Sequence, residues 1–514
     1  MKNKSIYLLL LITFYLSKIT ISQNPLIVTG EHQFPKGADK EEGHPEQKLN
    51  QYNGCELLGT NSSFIFISDR NKAGRIITTY DIKTLKKVTS FYLPSFRRVV
   101  IDEVKMTYFP IVSEGDYKEQ RVSSVDFNGK IIDKEKSLFT VHFKSKKHKK
   151  KSYFSSYISA NKSKYLFTNT TWYVNDELEI WLYDNTFNQL IHKNIKLPYS
   201  SDKLDICDLL VSNNGEVVII ASFKEAIGRS LKVFAISEKT AEFQEIKIDQ
   251  QGRYFDAYWH YPDRNIRGLI NDSLNKLILT GLCFEKKNEL AVCYVSIDLQ
   301  SIVIEISKFN KISENLLKEA LLSYRKILIN EFHDASNILI RNFFSDNKGG
   351  LKVICEVIYR GGIDDKTTFR NKIIEFDIDK SGILSRTSII PKFQRDSYQA
   401  IGFIPFQLKN RTYFIFNDHY LNISKYNEDP FQYEYYESSI RLSSEYKNAV
   451  LVNTYYSISE DKLIKKSVFE NQEFNIVIFP EHYLRIDDNT ILTWYNQKEI
   501  GIFPFAKITF VAKD

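Results

Sequence analysis

The sequence predicts an all-β fold, and three observations carry that prediction. Aromatic residues are abundant in the 514-residue chain, with 36 Phe and 31 Tyr against only two Met. Such residues fit the pleated, half-buried surface of a strand. One pattern of strands and turns recurs along the chain, and only one stretch, Ser313 to Ser323, has leucines at helical spacing.

The recurring pattern is an apolar strand, a polar turn, a second strand that ends in Asp or a similar residue, and a third strand. The first example is FIFIS at 64–68, then RIITTYD ending at Asp81, then LKKVTSFYL. Equivalent second strands end at Asp126, Asp184, Ser237, Asp298, Asp377 and Asn427. An Asp side chain can accept a hydrogen bond from the backbone two residues on, so we interpret these residues as turn formers. An acidic ring around a channel is the alternative interpretation.

The C-terminal third contains the less regular units. The seventh unit reads RTYFIFN, LNISKYN and FQYEYY over residues 411–436, and a weaker eighth unit begins at Ala449. The chain then closes with YLRIDD, TILTWYN and IGIFPFAKITF. We expect this last segment to complete a unit together with a strand near residues 50–60.

Consecutive units of three to four strands without intervening helices predict a seven-bladed β-propeller, with eight blades as the alternative. Each blade buries its faces against its neighbours, and closing the ring protects the strand edges. Tandem β-sandwiches would instead show a linker about every 100 residues, and the sequence has none at that spacing. We interpret the helical stretch at 313–323 as a short insertion packed on one face.

The N-terminus predicts export. Lys2 and Lys4 precede an apolar run, Ile6 to Leu16, and a more polar stretch follows with a small residue at Ser22. This is the order of a secretory signal peptide, and the run is shorter than the roughly 20 residues that span a bilayer. We therefore predict a signal peptide at 1–22, a flexible segment at 23–49 and a propeller at 50–514.

The net charge of +7 overstates how basic the chain is. The predicted signal peptide contains three lysines, and six more lie in one run at 144–151, so the rest of the chain is close to neutral. A nucleic-acid-binding protein spreads Lys and Arg over a face, so we predict no nucleic-acid partner. The lysine run indicates a solvated loop, and contact with an acidic polymer or anionic surface is the alternative.

Five cysteines in so long a chain do not form a disulfide framework. Cys283 and Cys293 lie in facing strands of one predicted hairpin, so a bridge between them is conceivable. Small buried apolar residues are the interpretation that we prefer.

No nucleophile, phosphate-loop, zinc-protease or C-x-x-C motif is present in the sequence. The candidate catalytic residues are His260, His333 and His419, because each lies near a strand start or a turn, where propellers place rim residues; His482 shares that setting. The candidate ligand-binding residues are Tyr258, Trp259, His260, Tyr261 and Arg264, which combine aromatic rings with a cation as contact surfaces do. Loop histidines without a shared role and an aromatic strand packed between blades are the alternatives. We predict no metal site and no cofactor.

The strand, turn, strand and Asp units resemble those of exported bacterial β-propeller repeat proteins, and the resemblance covers roughly residues 50 to 511. The WD40, kelch and calcium-loop signatures are missing from the sequence. The resemblance therefore implies the fold and a binding habit, and it implies no catalytic residue.

These observations predict an exported binding or scaffold protein of the cell envelope, periplasmic or extracellular, that contacts a protein or glycan partner at one rim. One alternative is a propeller enzyme that acts on polysaccharide as a hydrolase or lyase. Another is a structural component of an envelope complex. We expect a mature chain without a transmembrane segment, and a monomer.

Overall fold

The computed structural model describes residues 26–33, 55–71, 74–145, 149–150, 152–170, 177–200, 202–239, 242–255, 266–285, 289–321, 337–346, 348–360, 368–392, 394–396, 402–408, 411–419, 422, 438–439, 449–457, 462–468, 477–496 and 502–510. Over these ranges almost every element is an antiparallel strand, and one helix, α1 (Glu314–Leu321), lies among them. The strands form successive four-stranded antiparallel units, which is the construction of a β-propeller. The predicted all-β propeller fold is confirmed, and α1 lies within the stretch predicted to be helical.

The units are numbered here in chain order, and the strands of each unit are numbered 1 to 4 across its sheet. The first strand of the chain, β1 (Leu26–Gln33), belongs to the last unit. Unit 1 contains β2 (Cys55–Thr60), β3 (Phe64–Asn71), β4 (Gly74–Asp81) and β5 (Lys87–Pro94). Unit 2 contains β6 (Phe96–Ile101), β7 (Met106–Glu114), β8 (Tyr117–Val125) and β9 (Ile131–His142). Unit 3 contains β10 (Tyr153–Ile158), β11 (Lys164–Thr170), β12 (Glu177–Asp184) and β13 (Gln189–Lys196).

Units 4 and 5 are joined into one nine-stranded sheet. Unit 4 contains β14 (Leu204–Val211), β15 (Val217–Lys224), β16 (Arg229–Ile236) and β17 (Phe243–Ile246). The short strand β18 (Tyr254–Phe255) follows it. Unit 5 contains β19 (Ile266–Asn271), β20 (Lys276–Phe284), β21 (Leu290–Asp298) and β22 (Val303–Lys311). Because β18 pairs with both β16 and β20, it links the two units.

Units 6 and 7 also have short additional strands. Unit 6 contains β23 (Ile338–Ser345), β24 (Leu351–Arg360), β25 (Thr368–Ile378) and β26 (Leu384–Ile390), and β27 (Gln394–Asp396) pairs with the start of β25. Unit 7 contains β28 (Ile404–Leu408), β29 (Arg411–His419), β31 (Ala449–Ser457) and β32 (Lys462–Ser467). Between its second and third strands, β30 (Ser438–Ser439) pairs in parallel with β27.

Unit 8 is built from both ends of the chain. It contains β33 (Val477–Asp487), β34 (Thr490–Asn496) and β35 (Ile502–Thr509), and β1 is its outer strand. The pairing of β1 with β35 runs from Leu26 opposite Thr509 to Gln33 opposite Ile502.

This pairing corrects two sequence expectations. The strand that completes the last unit is β1, not residues 50–60, which contain β2, the first strand of unit 1. A strand therefore lies within the segment 23–49, which we predicted to be flexible. The physical reason is that a partner almost a whole chain length away leaves no local pattern in the sequence.

The seventh and eighth predicted units also differ from the structure. The third strand of unit 7 is β31, not LNISKYN at 421–427, and the fourth is β32. The weaker eighth unit that we expected to begin at Ala449 therefore supplies the outer half of unit 7. The predicted strand FQYEYY lies outside the described residues. Apolar alternation alone could not show that a long connection separates strands 2 and 3 of this unit.

The described residues contain eight four-stranded units, and the last packs against the first. Trp494 and Phe505 of unit 8 share an apolar cluster with Ile65 and Tyr80 of unit 1. The ring centroids of Tyr80 and Phe505 are 5.1 Å apart. The ring is therefore closed by side-chain packing. The choice between seven and eight blades stays a prediction for the whole chain.

The burial of each strand follows its place in the unit. The middle strands are covered on both faces by neighbouring units, so they read as continuous apolar runs; in β15 the first six residues are all buried. The outer strand β22 instead alternates between exposed and half-buried positions. This difference explains why the middle strands gave the strongest signals in the sequence.

Strand order divides the connections between two faces of the ring. In each antiparallel unit, the turns between strands 1 and 2 and between strands 3 and 4 lie at one end, which we call the turn face. The connection between strands 2 and 3 and the link to the next unit lie at the other end, which we call the loop face. The long connections are all at the loop face: 34–54, 143–152, 247–265, 312–337, 391–403 and 420–448.

Candidate functional site

At the turn face, side chains accept hydrogen bonds from the backbone of their own turns. The predicted role of the strand-end aspartates is confirmed at Asp81, Asp126, Asp184 and Asp298, where Oδ1 accepts hydrogen bonds from backbone N–H groups two to four residues on. In unit 6 the turn is formed by Asp379, not by Asp377 as the sequence suggested. These bonds satisfy the turn backbone internally.

Hydrogen bonds also connect the turn face from one unit to the next. The backbone N–H of Ser62 in unit 1 donates to the Glu103 carboxylate of unit 2 at 3.2 Å. Between units 3 and 4, the N–H of Asn161 donates to Asn213 Oδ1, and the N–H of Asn213 in turn donates to Asp272 Oδ1 of unit 5. The side chain of Asn271 continues the series to the backbone carbonyl of Asp346 in unit 6. The polar groups of this face are therefore largely engaged in holding the ring together.

The loop face contains the connections near the sequence-predicted site residues. Tyr258, Trp259, His260, Tyr261 and Arg264 lie outside the described residues, as does His333. The described residues that flank the first group, Phe255 and Ile266, are at the loop-face ends of their strands. His419 ends β29 opposite Ala449, also at the loop face, and its side chain lies outside the described set. Whether these residues converge stays a prediction.

A cluster of cations lies at the loop face between units 2 and 3; we call it the basic cluster, and it consists of Arg97, Lys118 and Lys149. Arg97 occupies the bulge at the start of β6, and its Nη1 donates to the backbone carbonyl of Phe154 at 2.6 Å. Lys118 Nζ donates to the carbonyl of Ser152 at 2.8 Å. The three side chains therefore meet where β6, β8 and the link 143–152 come together.

Lys149 belongs to the lysine run that the sequence singled out. Its Nζ donates to the carbonyls of Glu114 and Gly115, which form the strand 2–3 turn of unit 2. This described part of the run is thus held against the body of the protein. Lys144 and Lys150 are exposed beside it.

A second polar feature lies between units 6 and 7, where Glu356 and Lys392 are fully buried and Arg341 and Arg370 are 22% and 13% exposed. We call it the buried ion network, and its centre is the Glu356 carboxylate on β24. Lys392 Nζ is 2.5 Å from Glu356 Oε1, and Arg341 Nε is 3.3 Å from Oε2. Arg370 Nη1 is 3.7 Å from Oε2. Burial alone would raise the pKa of Glu356, but these three cations outweigh it and hold that pKa below its usual range.

The network continues from unit 6 into units 7 and 8. Lys392 also donates to Gln394 Oε1 at 2.9 Å, and Gln394 Nε2 donates to the carbonyl of Asn417 at 2.8 Å. The Asn417 side chain then bonds both backbone groups of Ile478 in unit 8. Arg370, Lys392, Asn417 and Ile478 all lie towards the loop-face ends of their units, so the network underlies that face.

A further buried pair lies beside it in unit 7. Lys465 on β32 donates to the Asp418 carboxylate, and neither side chain is exposed to solvent. Asn422 Nδ2 donates to the other Asp418 oxygen at 2.6 Å. Asn422, in the connection that follows β29, is thus bonded to this pair.

The helix α1 is also fixed to the loop face. Leu317, Ala320 and Leu321 pack in the apolar cluster between units 5 and 6. Lys372 of β25 donates to the backbone carbonyl of Glu319. Burial lowers the pKa of Lys372 to about 8. The predicted insertion is thus a packed element between two units.

The five cysteines are all free, so the conceivable bridge between Cys283 and Cys293 is absent. The two residues do lie in facing strands, but Cys283 is opposite Ala291 and Cys293 opposite Gly281, so they are offset by two residues. Burial raises the pKa of Cys283 to about 12. The interpretation as small buried residues fits this pair.

Two features are absent from the described residues. No group of three or more His, Cys, Asp and Glu side chains there is arranged to hold a metal ion. No helix in the described part of the chain is long and apolar enough to cross a membrane.

Several solved structures are similar to the chain at low sequence identity. A eukaryotic initiation factor shares 10% identity at a TM-score of 0.38, over 84% of this chain and 78% of that one. A structure from a study of two prolyl endopeptidases shares 10% identity at a TM-score of 0.37, over 87% of this chain and 55% of that one. The β-propeller domain of the Trilobed protease from Pyrococcus furiosus shares 8% identity at a TM-score of 0.37, over 81% of this chain and 96% of that one.

No family model matches the chain, and no curated protein matches it significantly. The fold assignment therefore rests on the strand order and ring closure of the chain itself, and these are the order and closure of a β-propeller.

Proposed function

We propose that this chain is an exported β-propeller that acts as a binding or scaffold module of the cell envelope, with its partner bound at the loop face. The observation that carries the proposal is the difference between the two faces. The turns at the turn face are short, are capped by their own side chains and are hydrogen-bonded from unit to unit. Every long connection lies at the loop face. Binding residues are concentrated on loops that a rigid scaffold positions.

The buried ion network supports this assignment of faces. It ties units 6, 7 and 8 together directly below the loop face, through Glu356, Lys392, Gln394 and Asn417. Each of these four side chains makes at least one hydrogen bond, although Glu356 Oε2 accepts none, and the bonds join strands of the three units. The strands that carry the long connections of these units are thus joined directly below the loop face, as in a scaffold that positions binding residues.

Export forms part of the proposal because the predicted signal peptide ends before the first described strand. Cleavage near Ser22 or Gln23 leaves β1, which begins at Leu26, in the mature chain. The unit 8 sheet would then keep all four strands. N-terminal sequencing of the protein from the fraction outside the cytoplasm tests this step: a mature start at residue 23 or 24 agrees with it, and an intact Met1 contradicts it.

Blocking one face at a time tests the binding site. In a Cys207→Ser background, which removes the half-buried native thiol, single cysteines are introduced and coupled to a bulky polyethylene glycol maleimide. Asp116→Cys and Ile227→Cys place the polymer on the loop face. Asn128→Cys and Lys380→Cys place it on the turn face. Co-sedimentation with the envelope fraction of the producing cells is then measured.

The proposal predicts that the uncoupled proteins sediment with the envelope fraction, that loop-face coupling abolishes this, and that turn-face coupling leaves it unchanged. Circular dichroism of each coupled protein checks that the fold persists. Absence of binding by the uncoupled protein, or equal loss from both faces, contradicts the proposal.

A further inference from the structure

We propose that the basic cluster, Arg97, Lys118 and Lys149, is a binding site for an acidic polysaccharide. This rests on the proposed function, because the cluster lies on the loop face. The inference names the chemical class of the partner and the residues that recognise it.

The basic cluster contains positive charge that no described carboxylate pairs with, although Glu114 and Asp116 lie in the adjacent turn. Among the described residues, each of the three side chains donates only to backbone carbonyls: Phe154 for Arg97, Ser152 for Lys118, and Glu114 with Gly115 for Lys149. None of the three is within ion-pair distance of a carboxylate in the described part of the chain. Most other described Arg side chains do have such a partner, as Arg75, Arg121 and Arg229 show.

Lys118 lies close enough to Arg97 and Lys149 for both of their charges to repel its own. Burial lowers the pKa of Lys118, and the charges on Arg97 and Lys149 lower it further. An anion placed among these side chains would relieve that repulsion. The binding energy of a polyanion would therefore include the relief of a charge conflict already present in the free protein.

The side chains of Lys118 and Lys149 are held in place before a ligand binds. Lys118 Nζ lies 5.8 Å from the ring centroid of Phe143 and 5.9 Å from that of Phe154, and both rings are buried. Lys149 is fixed by two carbonyls. These contacts hold the cations in place before a ligand arrives, so little side-chain entropy is lost on binding. Exposed Lys144 and Lys150 extend the positive surface along the same link.

The surroundings of the cluster favour an acidic polysaccharide over a nucleic acid. Tyr153 is 53% exposed, and its chain neighbours Ser152 and Phe154 supply the carbonyl groups that bond Lys118 and Arg97. Aromatic rings with one apolar face and one polar edge suit sugar rings, and lysine and arginine suit the carboxylate or sulfate groups that acidic sugars carry. A nucleic-acid site would spread cations over a whole face, whereas here the cations are confined to one junction between units.

The test measures binding of the mature full-length chain to polygalacturonate, with neutral dextran as the control polymer. We expect polygalacturonate to bind and its affinity to fall by about tenfold or more between about 50 and about 200 mM salt. We expect dextran not to bind. The triple variant Arg97→Gln, Lys118→Gln, Lys149→Gln should lose about tenfold in affinity at low salt and show a flatter salt dependence.

The matched control replaces three exposed turn-face lysines, Lys86→Gln, Lys130→Gln and Lys380→Gln, and so changes the net charge equally. It should bind as the unmodified chain does. If the triple variant does not fold, Lys144→Gln with Lys150→Gln tests the same surface, because neither exposed side chain has a described bond that supports the fold; a loss of about threefold is expected.

Equal loss in the triple variant and the turn-face control overturns the proposal. Tighter binding of duplex DNA, or of vesicles containing anionic phospholipid, than of polygalacturonate overturns the polysaccharide assignment. If polygalacturonate does not bind while loop-face coupling still abolishes envelope binding, this inference fails alone. If loop-face coupling has no effect, the proposed function fails first.

Discussion

Lys392 Nζ lies 2.5 Å from Glu356 Oε1, and neither side chain is exposed to solvent. Glu356 comes from the second strand of unit 6, and Lys392 from the link that leaves the same unit. The contact therefore fastens the departing chain onto the sheet before it enters unit 7. Removing one partner from a buried ion pair leaves a charge in a medium that solvates it poorly.

We predict that Glu356→Gln destabilises the protein by about 3–5 kcal/mol. The carboxylate contacts Lys392, Arg341 and Arg370, so its loss leaves the buried charge of Lys392 and the partly exposed charges of both arginines without that anion. Denaturant unfolding, followed by the fluorescence of the buried Trp residues, measures the change.

Lys392→Met is the matched variant, and we expect it to lower the free energy of unfolding by less than Glu356→Gln does. Glu356 keeps both arginines in this case, and the methionine fills much of the lysine volume. A loss for Lys392→Met equal to or larger than that for Glu356→Gln would contradict the view that the carboxylate organises the network.

Asp184 predicts a pH dependence at the turn face. Burial raises the pKa of Asp184, but the bonds from Asn188 and Thr186 together outweigh this and lower it from 3.8 to about 2. A carboxylate with a lowered pKa stabilises the folded state above its unfolded pKa, and that contribution is lost as the pH falls from about 4 to about 2. We therefore expect Asp184→Ala to be about 1 kcal/mol less stable near neutral pH, and the gap to narrow near pH 3.

Asp184→Asn is the control for this prediction. Its amide oxygen can accept the same backbone bonds without a charge, so its smaller stability difference should not vary with pH in the same way. Thermal unfolding of the unmodified chain, Asp184→Ala and Asp184→Asn at neutral and acid pH measures the stability difference of each variant. A gap for Asp184→Ala that stays constant down to pH 3 would show that the charge of this residue is not involved.

The number of free thiols can be measured by alkylation. Alkylation of the denatured protein without reductant should modify all five thiols, because none is bridged. In the native state Cys207 should react first, since the other four are buried. Intact mass spectrometry reads both results. Three modified thiols in the unreduced protein, rising to five after reduction, would reveal a bridge.

Removing β1 tests the closure of the ring. Deletion of residues 24–33 leaves Ile502–Thr509 as an unpaired edge, so we expect a loss of at least about 2 kcal/mol and a tendency to associate through that edge. Deletion of 38–45, which removes part of the link but no described strand, is the control. Calorimetry and light scattering measure both effects, and equal behaviour of the two deletions would contradict the role of β1.

The sequence was sufficient for features that depend on neighbouring residues. Asp81, Asp126, Asp184 and Asp298 each cap a turn within four residues, so a local pattern identified them. The middle strands were equally clear because both of their faces are buried. The turn of unit 6 was misplaced by two residues, since Asp377 ends an apolar strand but pairs with Lys352 and Arg386 across the sheet.

Features that depend on distant residues could not be read in this way. The first strands of several units, such as β6 and β10, are less apolar than the middle strands, so the sequence pattern did not predict them. The pairing of β1 with β35 joins the two ends of the chain. In the basic cluster, the lysine run was visible in the sequence, but nothing local places Arg97 and Lys118 beside it.

Hydroxyl-radical footprinting of the mature chain, alone and bound to envelope fragments, tests the central claim most directly. Four exposed side chains report on the two faces in comparable pairs: Ile227 (71% exposed) and Tyr153 (53%) on the loop face, and Val104 (72%) and Ile383 (53%) on the turn face. We predict that binding lowers the oxidation of Tyr153 and Ile227 and leaves that of Val104 and Ile383 unchanged. Protection of Val104 and Ile383, or equal protection of all four, would contradict it.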